Sequence, residues 1–303
     1  MPIRLNPQPL VRDLFTPDAR AARHGRPAAG MLLSSGDATA AEICAGAGLD
    51  YLLVDGEHAP LSLETVLMLL RTVAGYGVPV MTRLPTLDPV LIKQYLDLGA
   101  QTLLVPMVDT AEQAAEAVRA LRYPGLRPDH AGPHHDDGGP RPDDGPRPGV
   151  RGVGSALARS GRWNRIPDYL TGADAQVSLF VQVETVEGVE NAAAIAAVDG
   201  VDGIFVGPAD LSASMGLLGQ QRHPDVVAAV VSVIRTANEA GTVVGVNAFD
   251  PEQAEAYAAA GADFLNVGAD VALLARAAEA LADRWCPAAA PQGSGGETAR
   301  NSG

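Results

Sequence analysis

The sequence predicts a single (β/α)8 TIM barrel, and three observations carry that expectation. Eight short, nearly continuous apolar runs alternate strictly with longer Ala- and Leu-rich stretches of helical period, as in a parallel sheet buried on both faces. The chain has 303 residues, and such a barrel typically needs about 250. Several helical stretches stop at a glycine just before the next apolar run (Gly48, Gly77, Gly99, Gly241, Gly261), which is the left-handed helix stop. An open doubly wound sheet is the competing architecture, and eight alternating pairs fit it less well.

Taken in order, strands are expected at residues 28–33, 49–55, 78–84, 101–108, 178–184, 201–207, 242–248 and 263–268. Helices are expected at 39–47, 63–76, 89–98, 111–121, 188–197, 225–240, 251–260 and 271–283. Residues 1–26 precede the repeat as an N-terminal extension, and the barrel is expected to span 27–286. Between the fourth and fifth pairs lies residues 125–150, in which 12 of 26 residues are Pro or Gly; it is expected to be a mobile loop insertion. The stretch 287–303, PAAAPQGSGGETARNSG, has too few apolar residues to pack and is expected to be a disordered tail.

Composition narrows the function classes. With 47% apolar residues the chain can bury a sizeable core. A net charge of −14 argues against nucleic acid or an anionic membrane as partner and leaves a small-molecule substrate. Cys44 and Cys286 form no disulfide framework and no metal-ligand spacing. No basic start precedes an apolar core at the N-terminus, and no apolar run nears membrane-span length, so a cytoplasmic protein is expected.

Chemistry in such a barrel collects at the C-terminal ends of the strands. The second run ends in LLVDGEHAP, which puts Asp55 and His58 on the following loop. The third carries Arg83 near its end. The fifth ends in LFVQVET, where Gln182 and Glu184 share one face. The sixth leads into IFVGPADLS, with Asp210 just past a Gly-Pro turn. Singly, Glu184 and Asp210 fit loop-capping acids as well as ligands. Together, on adjacent strand ends, a hard divalent cation accounts for them better, and oxygen-only ligation suits Mg2+ or Mn2+ rather than Zn2+. Arg83 can pair with an acid, Asp97 included, or bind an anion. His58 can be a loop histidine or a base oriented by Asp55, and spacing alone does not choose.

The set LLVDGEHAP, LIKQYLDLGAQTLLVPMV, RGVGSALARSGRWNRIPDYL, VQVETVEGVEN and VDGIFVGPADLSASMGLLG, in that order, closely resembles the HpcH/HpaI class II pyruvate aldolases. The resemblance runs from Pro27 to Cys286 apart from the Pro/Gly-rich loop. It implies cleavage of a 4-hydroxy-2-oxo acid, such as 4-hydroxy-2-oxoheptanedioate, to pyruvate and an aldehyde with Mg2+, Mn2+ or Co2+. It also implies Glu184 and Asp210 as metal ligands, Gln182 beside the metal water, and Arg83 on the pyruvyl oxygen. His58, paired with Asp55, would act through a metal-bound water as base on the carbon-4 hydroxyl. Asp97 would lie near that base and the arginine, and the backbone amides of Gly207 and Ala209 would meet the pyruvate carboxylate. A homo-hexamer is implied as well.

Two features depart from the family pattern. A short Tyr-Pro-Pro-x-Gly link is usual where this chain inserts the long loop, which carries His130, His134, His135, Asp136 and Asp137. Leu32 stands where relatives often carry tryptophan, a change that bears on aldehyde preference. Among competing chemistries, a Schiff-base aldolase needs a strand lysine, and the only lysine, Lys93, lies in a helical stretch. A lyase acting on an acyl-CoA ester or on a sugar-acid-derived 2-keto-3-deoxy acid is the nearer alternative.

Overall fold

The computed structural model describes residues 8–125 and 149–286. Most of the insertion, with its three histidines and Asp136 and Asp137, and the 287–303 tail lie outside the described residues. Eight parallel strands follow in sequence order: β1 (Ala28–Leu33), β2 (Tyr51–Asp55), β3 (Val80–Arg83), β4 (Thr102–Val105), β5 (Ser178–Val183), β6 (Gly203–Val206), β7 (Val243–Asn247) and β8 (Phe264–Ala269). β1 pairs with both β2 and β8, so the sheet closes and the open-sheet alternative falls. The strands fall on the predicted runs and are shorter where the chain turns. The fourth, expected to reach residue 108, stops at Val105 because Met107 takes a left-handed φ of 54°.

The helices are α1 (Pro17–Ala22), α2 (Ala38–Ala45), α3 (Leu63–Val73), α4 (Pro89–Asp97), α5 (Ala111–Leu121), α6 (Tyr169–Gly172), α7 (Val186–Glu190), α8 (Ala192–Ala196), α9 (Pro208–Ser214), α10 (Pro224–Glu239), α11 (Pro251–Ala260) and α12 (Asp270–Trp285). Their starts are written locally. Asp37, Ser62, Asp88, Thr110, Thr185 and Asp250 each accept a backbone N–H of the first turn, a cap worth about 1 kcal/mol. The single helix expected over 188–197 is two pieces. Asn191 breaks it, turning its side-chain amide to donate to the Asp109 carbonyl at 2.8 Å. No helical period marks α6 or α9 in the sequence, because both are too short to show one.

Outward-facing strand residues pack with the helices into one apolar shell, and inward-facing residues fill the lumen. Phe264 centres the lower lumen. Its ring lies 5.5 Å from Phe180, 5.7 Å from Tyr51 and 5.7 Å from Phe205. Gly245 on β7 makes room for it, since a Cβ there would fall 2.3 Å from the ring.

The segment ahead of the repeat closes the base of this lumen. A 3-10 turn, Val11–Phe15, buries Val11 among the lumen residues and donates the Val11 N–H to Thr102 Oγ1 at 3.2 Å. Phe15 sets its ring 5.5 Å from Phe264. Among the described residues no helix is long and apolar enough to cross a membrane.

Candidate active site

At the opposite, C-terminal end the lumen changes character from aromatic to charged. Asp55 and Arg83 end neighbouring strands in register, and both are buried. One carboxylate oxygen of Asp55 accepts from Arg83 Nε at 3.0 Å and lies 2.9 Å from its Nη2. The same oxygen accepts the backbone N–H groups of Glu57 (3.1 Å) and His58 (3.2 Å), an Asx-type turn that fixes the loop after β2. Arg83 Nη1 sits 3.0 Å from Glu57 Oε2. Two acids therefore clamp the guanidinium, and two opposite charges with the hydrogen bond to Asp55 are what make the buried arginine tolerable.

Glu57 is a site residue that the sequence reading passed over. Burial pushes its carboxyl up, with Asp55 and Asp210 adding to the effect and Arg83 opposing it. The available signal was its place in DGEH, two residues after Asp55 and one before His58.

His58 does not make the expected pairing. Asp55 holds the His58 backbone amide, while the imidazole stands 61% exposed with Nε2 3.6 Å from Glu57 Oε2. One Asp55 oxygen is already engaged by Arg83, so the arginine takes the orienting acid that the family resemblance implies for the histidine.

On the far wall, Gln182 and Glu184 are 1% exposed each. Gln182 Nε2 donates to Glu184 Oε2, and the Met107 N–H donates to Glu184 Oε1 at 2.9 Å. The left-handed backbone at Met107 aims that amide, and a non-glycine residue there costs on the order of 1–2 kcal/mol. Burial pushes Glu184 up to about 7; Glu57 and Asp210 add to this, and the hydrogen bonds from Gln182 and Met107 oppose it. Asp210, exposed in the first turn of α9, faces the same mouth.

The residues present fit a hard divalent cation. Glu184 is a buried carboxylate held near neutrality for want of compensating positive charge, and Gln182 Oε1 is buried without a partner. Gly207 keeps the space beside Glu184 open: a Cβ there would lie 2.5 Å from Glu184 Oε2. The donors are oxygens, as Mg2+ and Mn2+ prefer. No group of three His, Cys, Asp or Glu side chains is poised as a complete ligand set among the described residues, so water or substrate oxygens would have to finish the shell.

Of the two expected backbone donors, Gly207 has its N–H committed to the Val183 carbonyl at 3.2 Å. Ala209 lies in the first turn of α9, where amides have no intrahelical acceptor. Asp97 is not part of the group. It ends α4 at the barrel's base, where Arg151 Nη2 stands 3.3 Å from its carboxylate. Lys93 also belongs to α4, against Gly152, and not to the lumen. Leu32 does face the lumen, packed with the inner cluster.

A closed eight-stranded parallel barrel with buried acids and an arginine at its C-terminal mouth defines an enzyme of the (β/α)8 type. The chain belongs to the HpcH/HpaI aldolase/citrate lyase family, whose model matches residues 28–277, and it is a carbon–carbon lyase. It is 48% identical over 265 residues to a 4-hydroxy-2-oxo-heptane-1,7-dioate aldolase of Escherichia coli, covering 88% of this chain and 93% of the relative. It is 49% identical over 295 residues to a hydroxypyruvate/pyruvate aldolase of Deinococcus radiodurans, covering 96% and 99%. A solved HpcH/HpaI aldolase/citrate lyase family protein of Burkholderia cenocepacia superposes with a TM-score of 0.75 at 40% identity, covering 86% of this chain and 94% of that one.

Proposed function

We propose that this chain is a divalent-metal-dependent, class II aldolase that cleaves a 4-hydroxy-2-oxo acid to pyruvate and an aldehyde, and runs the reverse addition. The observation that carries this reading is the pairing, at one barrel mouth, of a clamped arginine with a buried glutamate raised to about 7 and an aspartate one strand on. Glu184 and Asp210 would hold the cation (Mg2+, Mn2+ or Co2+), which supplies positive charge against a developing enolate.

The protein's own groups account for the rest. Retro-aldol cleavage takes the proton from the carbon-4 hydroxyl, breaks the C3–C4 bond and leaves the electron pair on pyruvate as its enolate. Arg83, fixed by Asp55 and Glu57, presents its guanidinium to that negative charge without reorganising. His58, exposed at the rim with its Nε2 3.6 Å from Glu57, is the group able to take the hydroxyl proton. The first turn of α9 offers the Ala209 N–H to the substrate carboxylate.

The two relatives point to two donors. One is named for a heptanedioate substrate, whose cleavage gives succinic semialdehyde, and the other, matching 96% of this chain, for hydroxypyruvate and pyruvate. Assaying pyruvate and hydroxypyruvate against a panel of aldehydes, with chelated enzyme and with each metal restored, tests the reading. Aldol addition, read as metal-dependent consumption of the 2-oxo acid, is expected only where metal is present. Full activity in metal-free protein overturns it.

A further inference from the structure

Between β6 and β2 the lumen wall is built by β7, β8 and β1, and none of these three strands carries a basic residue. Gly245 and Phe264 meet inside the lumen, so period two turns Asn247 and Asn266 inward as well, one layer nearer the mouth. The two asparagines are partners across β7 and β8. On the other side of Asn247 stands Gly207, one residue past the pair Val206 and Val246. A Cβ at Gly207 would strike Glu184. With no side chain at that position, Asn247 is the next side chain along the wall from the space around that acid.

The two amides differ in burial and in role. Asn266 is 0% exposed and donates from Nδ2 to Asn247 Oδ1 at 2.9 Å. That bond fixes the Asn247 carboxamide. Its oxygen is taken, so the half-buried side chain offers the lumen its NH2 group. Asn266 Oδ1 is buried without a partner. A self-sufficient pair would exchange two hydrogen bonds, whereas this one makes a single bond and keeps one donor group and one acceptor in reserve.

We propose that Asn247, held in orientation by Asn266, recognises a hydroxyl group next to the carbonyl carbon of the aldehyde half, and so selects 2-hydroxyaldehydes over plain alkanals. The proposal rests on the aldol reading above and extends it to the second half of the substrate. Arg83 and Glu184 gather the pyruvyl part at the ends of β3 and β5, and His58 stands after β2, so the substituent on carbon 4 runs along β7, β8 and β1. A hydroxyl accepts from the Asn247 NH2 and has a proton for Asn266 Oδ1. A distal carboxylate only accepts, and it finds no cation on these strands. An alkyl chain would strip water from both amides and return no hydrogen bond.

Aldol addition to pyruvate with the cation restored tests this, comparing glycolaldehyde with acetaldehyde, which differ only in that hydroxyl. The ratio of their kcat/KM values, compared between parent and variant, cancels the intrinsic reactivity of the two aldehydes. Asn247→Leu removes the donor at similar volume. Asn247→Asp keeps an acceptor for Asn266 and loses the N–H, so it serves where the leucine variant does not fold. Each should lower the ratio about tenfold, the worth of one hydrogen bond. Asn266→Ala frees the Asn247 amide to turn and should raise the KM for glycolaldehyde with kcat near the parent's, a split that general loosening of the barrel would not give. An equal fall in the ratio of succinic semialdehyde to acetaldehyde would make Asn247 a carboxylate anchor and overturn the proposal. A parent that adds neither aldehyde overturns the aldol reading and this proposal with it. A parent that adds both, with a ratio unmoved in the Asn247 variants, overturns this proposal alone.

Discussion

The base and the mouth of the lumen are lined by the same eight strands, yet they follow opposite rules. At the base, Phe264, Phe180, Phe205 and Tyr51 interlock with Val11 and Phe15, and the glycine on β7 serves ring packing. At the mouth, residues further along the same strands are Asp55, Arg83, Gln182 and Glu184, and the glycine after β6 serves to keep space open. Tyr51 and Asp55 are both on β2, and Phe180 and Gln182 are both on β5. The base maximises apolar contact, whereas the mouth holds buried charge that is only partly compensated. A folded chain that keeps such charge has stability to spare elsewhere, and the base is where the packing supplies it.

The two ends should therefore separate stability from activity. Glu184→Ala combined with Asp210→Ala should have the largest effect on rate, leaving no metal-stimulated pyruvate release, while thermal unfolding shows a barrel at least as stable as the parent. Retained metal-dependent turnover would break the assignment of the mouth.

His58→Ala comes next. A positioned base contributes roughly 10²–10⁴-fold, so aldol cleavage should fall by about that factor. Oxaloacetate decarboxylation needs no hydroxyl deprotonation and should fall much less. Equal loss of both reactions would show that His58 holds substrate and is not the base.

At the base, Phe264→Ala should cost about 3–5 kcal/mol of stability, read by denaturant unfolding, with the kcat of the folded fraction close to the parent's. A selective loss of kcat would mean that the two ends are not independent.

The pH dependence of stability sharpens the contrast further. Glu184 keeps its proton in the folded state up to about 7, against an ordinary value of 4.5. Below pH 4.5 both folded and unfolded chains carry the proton and the group contributes nothing. As pH rises from 4.5 to 7 the unfolded chain loses the proton first, so metal-free protein loses stability across that window, on the order of 3 kcal/mol in all. Glu184→Gln should flatten this part of the curve, and so should saturating cation. A metal-free curve with the same slope in the glutamine variant would show that another group titrates.

The smallest expected effect is none at all. Lys93 lies on α4, away from the lumen, so borohydride with pyruvate should trap no adduct, and Lys93→Met should leave cleavage intact. A trapped adduct would replace metal chemistry with a Schiff base.

The sequence by itself determined the barrel, because strand burial on both faces and helix period are local and repeat eight times, with glycine stops at five of the helices. It also determined which residues stand at strand ends, since period two places Gln182 and Glu184 together and the runs place Asp55 and Arg83. What it could not determine is which groups touch, because contacts across strands depend on register and on competition for one acceptor. The resemblance pairs Asp55 with the His58 imidazole, but Arg83 on the neighbouring strand reaches one Asp55 oxygen with two nitrogens, and the imidazole stands exposed beside Glu57 instead. Glu57 gains its place only through that same arginine. Asp97, near in the string of matched motifs, ends at the opposite face because α4 runs antiparallel to its strand.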